Sequence, residues 1–176
     1  IQIGPSVKYL EINNQNELLE ISKYAKSKKL KVHVLAEGTN SYFDKNLKKY
    51  LFVKLCFKPD IAFSTDPRGS GYVMVTATAN TNWNSLVEET VSKNLWGLEN
   101  LTYVPGSVGA APVQNIGAYG VELKNTFDSS HVYDTVKNKF VTLKNKDCKF
   151  SYRHSVFKDY KNRYVILSVT FKLSTD

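Results

Sequence analysis

The chain has 176 residues, 42% of them hydrophobic and 23% charged, an ordinary composition for a globular protein large enough to bury a core. Lysine and arginine outnumber aspartate and glutamate by 24 to 16, and the net charge of +8 fits either an anionic partner (nucleic acid or a small phosphorylated ligand) or a lysine-rich solvated surface. No apolar run nears the roughly 18 residues of a membrane span, no charged-then-apolar leader is present and no nucleic-acid motif accompanies the charge, so membrane, export and nucleic-acid roles are set aside and the chain reads as cytoplasmic.

Val7, Tyr9 and Leu10 open a first strand. Asn14 followed three positions later by Glu17 resembles a capping box, and Leu18, Leu19, Ile21, Tyr24 and Ala25 recur at helical spacing as the apolar face of a helix. The densest basic run, residues 26–31, closes that helix, where cations complement the dipole without any ligand. Residues 32–35 form a short strand and residues 50–55 another. Lys58, Pro59 and Asp60, then residues 66–70, are turn-rich, which puts a boundary here between two lobes, 1–57 and 58–176. Residues 72–77 read as a strong strand. A helix begins near Asn82, with Trp83, Leu86, Val87, Val91 and Leu95 on its face and Gly97 as its C-terminal cap. Strands at 131–136 and 140–143 flank Lys137, Asn138 and Lys139 as a hairpin, and residues 164–173 alternate as a half-buried strand. The pattern is α+β. Cys56 and Cys148 lie far apart among apolar neighbours and read as two buried thiols in a reducing compartment; with three scattered histidines they make no zinc site, and no metal is expected.

Two segments can carry chemistry. Glu37, Gly38, Thr39, Asn40 and Ser41 follow a strand directly and make either an ordinary turn or one whose main chain holds a phosphate. Residues 105–120 lose all periodicity and hold four glycines and two prolines. Small residues at nearly every position leave main-chain N–H groups free for an anionic or carbonyl-rich ligand, and a loop of this length is functional or disordered. Its prolines and its place between good elements argue against disorder. It lacks the lysine of a P-loop and the spacing of a Rossmann turn.

Gly97, Leu98, Glu99 and Asn100 running into Pro105, Gly106, Ser107, Val108, Gly109, Ala110, Ala111, Pro112, Val113, Gln114, Asn115, Ile116, Gly117, Ala118, Tyr119 and Gly120 resemble the signature of the UDP-N-acetylenolpyruvoylglucosamine reductases. Tyr152, Arg153, His154, Ser155, Val156, Phe157 and Lys158 resemble the family's second signature, and residues 37–40 its first FAD loop, in the same order and spacing. The resemblance covers essentially the whole chain. It implies a two-lobed clamp on FAD of the vanillyl-alcohol-oxidase type, with NADPH as reductant and a UDP-sugar as substrate. Glu37, Gly38, Thr39, Asn40 and Ser41 then border the pyrophosphate. Gly106, Ser107, Val108, Gly109, Ala110, Gln114, Asn115, Gly117, Ala118, Tyr119 and Gly120 continue around pyrophosphate and flavin, and Ile166 matches an apolar position near the isoalloxazine. Arg153 matches the family's catalytic arginine, and Tyr119 with Arg153 faces the substrate. A bulky β-branched residue at Gly109 or Gly117 is expected to abolish flavin binding while the protein stays folded.

The departures also carry expectations. His154 stands where the family often has aspartate, as a residue beside the site or exposed, and Ala36 replaces a glycine before the Glu-Gly pair. The family's N-terminal start is absent, and the chain stops at Ser174, Thr175 and Asp176 where relatives continue into a substrate-binding domain. By the resemblance that domain supplies the serine or cysteine that protonates the carbanion and a further acid. The expectation is therefore a truncated, monomeric FAD-binding part of a peptidoglycan-precursor reductase, inactive alone. The rival readings are another flavin oxidoreductase with the same clamp, or a FAD-binding module without catalysis.

Overall fold

The structure is a computed structural model describing residues 7–39, 41, 43, 47–66 and 71–175. Strand β1 (Lys8–Ile12) leads into helix α1 (Gln15–Ser27), and β2 (Lys31–Val34) and β3 (Tyr50–Leu55) follow. The three strands form a parallel sheet in the order β1-β3-β2. Helix α1 starts where its capping residues put it: Asn14 is extended and its Oδ1 accepts from the Glu17 N–H at 3.0 Å. The Glu17 carboxylate accepts from the N–H of Asn13 and from Asn14 Nδ2, both at 2.7 Å, so the return arm of the box lands one residue upstream of the cap. Leu18, Ser22 and Ala25 are the buried line of the helix. Tyr24, expected on that line, is 46% exposed, because a stripe at 18, 22 and 25 turns position 24 outward. The helix closes on Lys29 at φ +53, with Lys29 N–H donating to Lys26 O at 3.1 Å and Leu30 N–H to Ala25 O at 2.8 Å. That pair of bonds is a Schellman closure with lysine in the glycine position.

Downstream come β4 (Ile61–Thr65), β5 (Tyr72–Thr78), helix α2 (Trp83–Ser92), the two-residue strands β6 (Gly117–Ala118) and β7 (Val121–Glu122), β8 (Phe127–Asp134), β9 (Lys139–Lys144), the single turn α3 (Val156–Asp159) and β10 (Tyr164–Ser174). Five of these strands make an antiparallel sheet in the order β4-β5-β10-β8-β9. Strand β4 has no counterpart in the sequence pattern: the turn at Lys58, Pro59 and Asp60 gives way at once to Ile61, which pairs with Ala77. Residues 67–70 of the expected boundary lie outside the described residues. Strand β8 starts at Phe127 rather than His131, and Val136, expected within it, sits 68% exposed in the turn. In β10 the run Val165, Ile166, Leu167 is buried throughout, and alternation begins only after a register shift between Ile166 and Ser168.

Helix α2 starts at Asn82, whose Oδ1 accepts from Ser85 N–H, and lays Trp83 edge-on against Phe171 at 5.9 Å. The indole N–H donates to Leu101 O at 2.7 Å. Two details differ from the sequence expectation. Thr90, not Val91, takes the inner line, its hydroxyl donating to Val87 O, while Val91 is 43% exposed. Asn94 at φ +55 closes the helix, with Asn94 N–H on Val91 O and Leu95 N–H on Thr90 O, so Gly97 is not the cap. Gly97 is needed for another reason: at φ +126 a Cβ there would lie 2.6 Å from Thr126 Cγ2.

Cys148 is buried and desolvation pushes its thiol up to about 12, whereas Cys56 is only half-buried. No helix among the described residues is long and apolar enough to cross a membrane.

At the far end of β8, the buried Asp134 carboxylate accepts from Val136 and Lys137 N–H at 3.0 Å and from Arg163 Nε and Nη2 at 3.1 and 2.8 Å. Burial alone would raise its pKa, but the bonds from Arg163 and the two N–H groups outweigh that and hold it below the ordinary 3.8. A depressed carboxyl pKa contributes stability that is present above the unfolded-state value and lost as pH falls through the folded one. Asp134→Asn should therefore cost about 1.5 kcal/mol at pH 7. Urea unfolding should show the gap to the parent shrinking below the ordinary carboxyl range; a gap that stays constant down to full protonation contradicts this.

Candidate functional site

The first expected turn leaves the C-terminal end of β2. Leu35 N–H makes the last ladder bond, to Val53 O at 2.8 Å. Gly38 then sits at φ +71 with nothing among the described residues within 4 Å of where a Cβ would stand. The N–H groups of Gly38 and Thr39 meet no acceptor among the described residues, and Glu37, Gly38, Thr39 and Ser41 are exposed. Asn40 lies outside the described residues. A positive-φ turn with outward donors suits a phosphate.

The second segment is more structured than its sequence suggests. It contains a 3₁₀ turn, Ala111–Gln114, and the hairpin of β6 and β7. Several of its N–H groups, expected to be free, are committed to the protein: Val108 to Thr81 O at 2.9 Å, Gly109 to Ala79 O at 2.8 Å and Ala110 to Ser107 O at 3.0 Å. Ser107 and Val108 are buried, and Gln114 ends the 3₁₀ turn half-buried. What stays open is the entrance. Gly106, at φ +129, has nothing within 4 Å of the point a Cβ would occupy, and the N–H groups of Gly106 and Ser107 meet no acceptor among the described residues. Gly109 instead packs on Ala79, since a Cβ there would lie 2.6 Å from Ala79 Cβ and 3.1 Å from Ala79 O. Ala79 N–H in turn donates to Leu167 O at 2.8 Å, which brings β10 and the buried Ile166 alongside the loop. At Gly117 a Cβ would meet Val121 O at 3.0 Å. The expectation that bulky residues at Gly109 or Gly117 leave the fold untouched is therefore corrected.

Tyr119 and Gly120 form the tip of the β6–β7 hairpin, both at positive φ (+50 and +78), the signature of a type I′ turn. An aromatic residue there is strained, and Tyr119 is 87% exposed. Beside this tip stands a second hairpin, closed by Ser151 N–H on His154 O at 3.1 Å and His154 N–H on Ser151 O at 3.0 Å. Its corner residue Arg153 is exposed at φ +52 and donates from Nη2 to Gly117 O at 3.2 Å. Lys158 Nζ donates to Arg153 O at 2.7 Å, and His154 Nε2 lies 2.9 Å from Asp159 Oδ1. Glu122 carries the opposing charge: its pair with Lys124 holds its carboxyl below the ordinary value, against desolvation, with help from Asn115 and the Arg153 charge. The structure thus brings Gly117, Ala118, Tyr119, Gly120 and Arg153 to one corner.

Sequence reasoning gave three contributors no role of their own, although Ser155 lies within the second signature. Ser155 is fully buried and donates to Val113 O at 2.6 Å; a serine just before a short apolar helix was the available signal. Glu122 carried no signal. His33 Nδ1 and Asn162 Oδ1, 2.8 Å apart, join β2 to the turn before β10 across 129 positions of sequence. A groove of about 670 Å3 between β1 and α1, lined by Tyr9, Leu10, Ile21 and Tyr24, lies away from all of these residues. Among the described residues no three metal-ligating side chains converge.

A parallel three-stranded sheet and an antiparallel five-stranded one make an α+β domain whose open glycine turns offer main-chain donors that meet no acceptor among the described residues, a class of site suited to phosphate. The chain belongs to the FAD binding domain family, whose sequence profile matches residues 8–139. It is 52% identical over 109 residues to the UDP-N-acetylenolpyruvoylglucosamine reductase of Neisseria meningitidis serogroup C (strain 053442), covering 61% of this chain and 32% of that protein. It is 35% identical over 163 residues to the reductase of the same name from Polynucleobacter asymbioticus, covering 93% of this chain and 46% of that protein. The chain thus spans about a third to just under a half of the length of these curated relatives. The crystal structure of UDP-N-acetylenolpyruvylglucosamine reductase from Thermus caldophilus superposes with a TM-score of 0.72 at 22% identity, over 97% of this chain and 56% of that one. A cholesterol oxidase from B. sterolicum gives 0.64 at 14% identity, over 94% and 34%. At these identities the two structures establish the shared fold.

Proposed function

We propose that the chain is the FAD-binding part of a UDP-N-acetylenolpyruvoylglucosamine reductase, a cytoplasmic monomer that uses NADPH as reductant in peptidoglycan-precursor synthesis. The observation that carries the reading is the 52% identity over 109 residues to a reductase of that name. The Arg153 corner gives it chemical sense. The residues fit FAD on their own terms: Gly38, Thr39, Gly106 and Ser107 offer N–H donors without acceptors among the described residues, beside glycines whose open side leaves room for phosphate. In this reading residues 1–57 and 58–176 are the two lobes of the clamp; that the strands of 8–55 and of 61–174 form separate sheets supports the division. Gly38, Thr39, Asn40 and Gly106 border the pyrophosphate, and Ile166 backs the loop from β10. When bound, FAD supplies the reversible two-electron carrier.

The chain's own residues handle charge and orientation. Arg153 presents a guanidinium, fixed by Gly117 O, to the carboxylate of the enolpyruvyl UDP-sugar and stabilises the negative charge that grows beside it during reduction. Tyr119, held outward by a strained turn, offers an aromatic face and a hydroxyl to the same substrate. By the resemblance, the proton donor and a further acid would come from a part of the relatives outside the matched length. The test is NADPH-dependent reduction of the enolpyruvyl UDP-sugar, followed by the loss of NADPH absorbance. The 176 residues alone should give background rates, because a positioned proton donor is typically worth about 10²–10⁴-fold. Adding the remaining portion of a relative, fused or in trans, should restore turnover. No restoration would leave a FAD-binding module, and turnover by the chain alone would place the substrate site wholly within it.

A further inference from the structure

We propose that Asn115 is a positioning residue for Arg153, acting through the protein and not as a cofactor ligand. The inference rests on the reading of Arg153 as the cation of the site. Asn115 is 1% exposed and lies at φ +44, so its amide has no outward face. Both ends of that amide are engaged within the corner. Nδ2 donates to Ser151 O at 3.0 Å, and Oδ1 accepts from Lys124 N–H at 3.0 Å. One buried group therefore joins the leg of the Arg153 hairpin to the end of the β6–β7 hairpin.

The consequence for Arg153 is geometric. Its guanidinium donates to Gly117 O, and Gly117 follows Asn115 by two residues and pairs with Glu122. Its backbone, in turn, follows Ser151 by two residues in a closed hairpin. The Asn115–Ser151 bond sets the separation of the two ends that the guanidinium must span. Ser155, through its bond to Val113 O at 2.6 Å, pins the other leg but leaves the exposed Ser151 leg to Asn115. A side chain in the left-handed region costs energy, and asparagine tolerates it better than most, which explains why an amide can stand where the backbone also turns.

The test uses the 176-residue chain labelled with 15N-arginine, which contains only Arg68, Arg153 and Arg163. Arg153→Lys assigns the Arg153 Nε–H signal, and Arg163, bound to Asp134, is an internal control for the fold. Asn115→Gly removes the amide without straining φ, and Asn115→Asp keeps the size but loses the Nδ2 donor. Both should move the Arg153 signal to the position of free arginine and abolish slowed guanidinium rotation, with the Arg163 signal unmoved. A folded variant whose Arg153 signal matches the parent overturns the proposal, as does loss of FAD affinity with that signal unchanged, which would make Asn115 a cofactor ligand. Unfolding of both variants would make it a folding residue and overturn the proposal as well. The reading of Arg153 itself is judged separately, by turnover of Arg153→Ala in the reconstituted enzyme; its failure would leave the spectroscopic coupling intact.

Discussion

Gly109→Val should destabilise the chain by about 3 kcal/mol and lower its melting temperature by roughly 6–12 °C. The cause is steric. A Cβ at Gly109 would stand 2.6 Å from Ala79 Cβ, 3.1 Å from Ala79 O and 3.2 Å from Ala79 Cα, so the obstacle is mostly main chain. Ala79 cannot retreat freely, because its N–H is bonded to Leu167 O and its carbonyl to Gly109 N–H, both at 2.8 Å. Valine adds two methyl groups to that clash. Gly106→Val is the informative contrast: among the described residues no atom lies within 4 Å of the added Cβ, and only the backbone conformation at φ +129 is strained, at about 1–2 kcal/mol. Its main effect should fall on FAD affinity. Melts of both variants with and without FAD check the pair. A Gly109→Val protein as stable as the parent would mean the loop does not pack on Ala79 as described.

Arg153→Ala, in an enzyme reconstituted from this chain and the rest of a relative, should lower kcat by about 10²–10³, the usual loss when one preorganised donor to a developing anion is removed. The melting temperature should hardly move, since Arg153 is exposed and, among the described residues, its side chain makes one hydrogen bond, to Gly117 O. Arg153→Lys should recover little, because an ammonium cannot reproduce a planar guanidinium held at one nitrogen and presenting its others to a carboxylate. Steady-state kinetics separate the outcomes. Loss in KM alone would assign Arg153 to ground-state binding, and an unchanged kcat/KM would remove it from the site.

The elements legible in the sequence were those with local causes. Asn14 and Asn82 mark both long helices because a cap is a contact within one turn. Strand β5 and the β8–β9 hairpin are legible from pattern and turn residues. The misreadings share a different origin. Tyr24 and Val91 fit the helical period yet face solvent, because the buried line is set by the sheet each helix meets, and small hydroxyl residues, Ser22 and Thr90, fill it. Gly97 lost the cap to Asn94, which tolerates the left-handed region nearly as well. Strand β4 was hidden by the proline turn before it, and its short edge is defined only by pairing with β5. In the candidate site, glycines signalled an accessible main chain, but sequence cannot separate one that faces space, as at Gly38 and Gly106, from one that faces another backbone, as at Gly109. Nor could it show that the Asn115 amide is spent inside the protein.

The central claim, that this chain holds FAD through the turns at Gly38 and Gly106, is tested most directly by titrating the purified 176-residue protein with FAD and following flavin fluorescence and the thermal melt together. At a hundred times the dissociation constant the bound cofactor should add about 2.7 kcal/mol of stability, with a saturable change in fluorescence. Gly38→Val should weaken both responses, since valine would be forced into the left-handed region and fill the open side of the turn. A folded protein that shows neither a fluorescence change nor a shift in its melt, across FAD concentrations up to the millimolar range, would contradict the account.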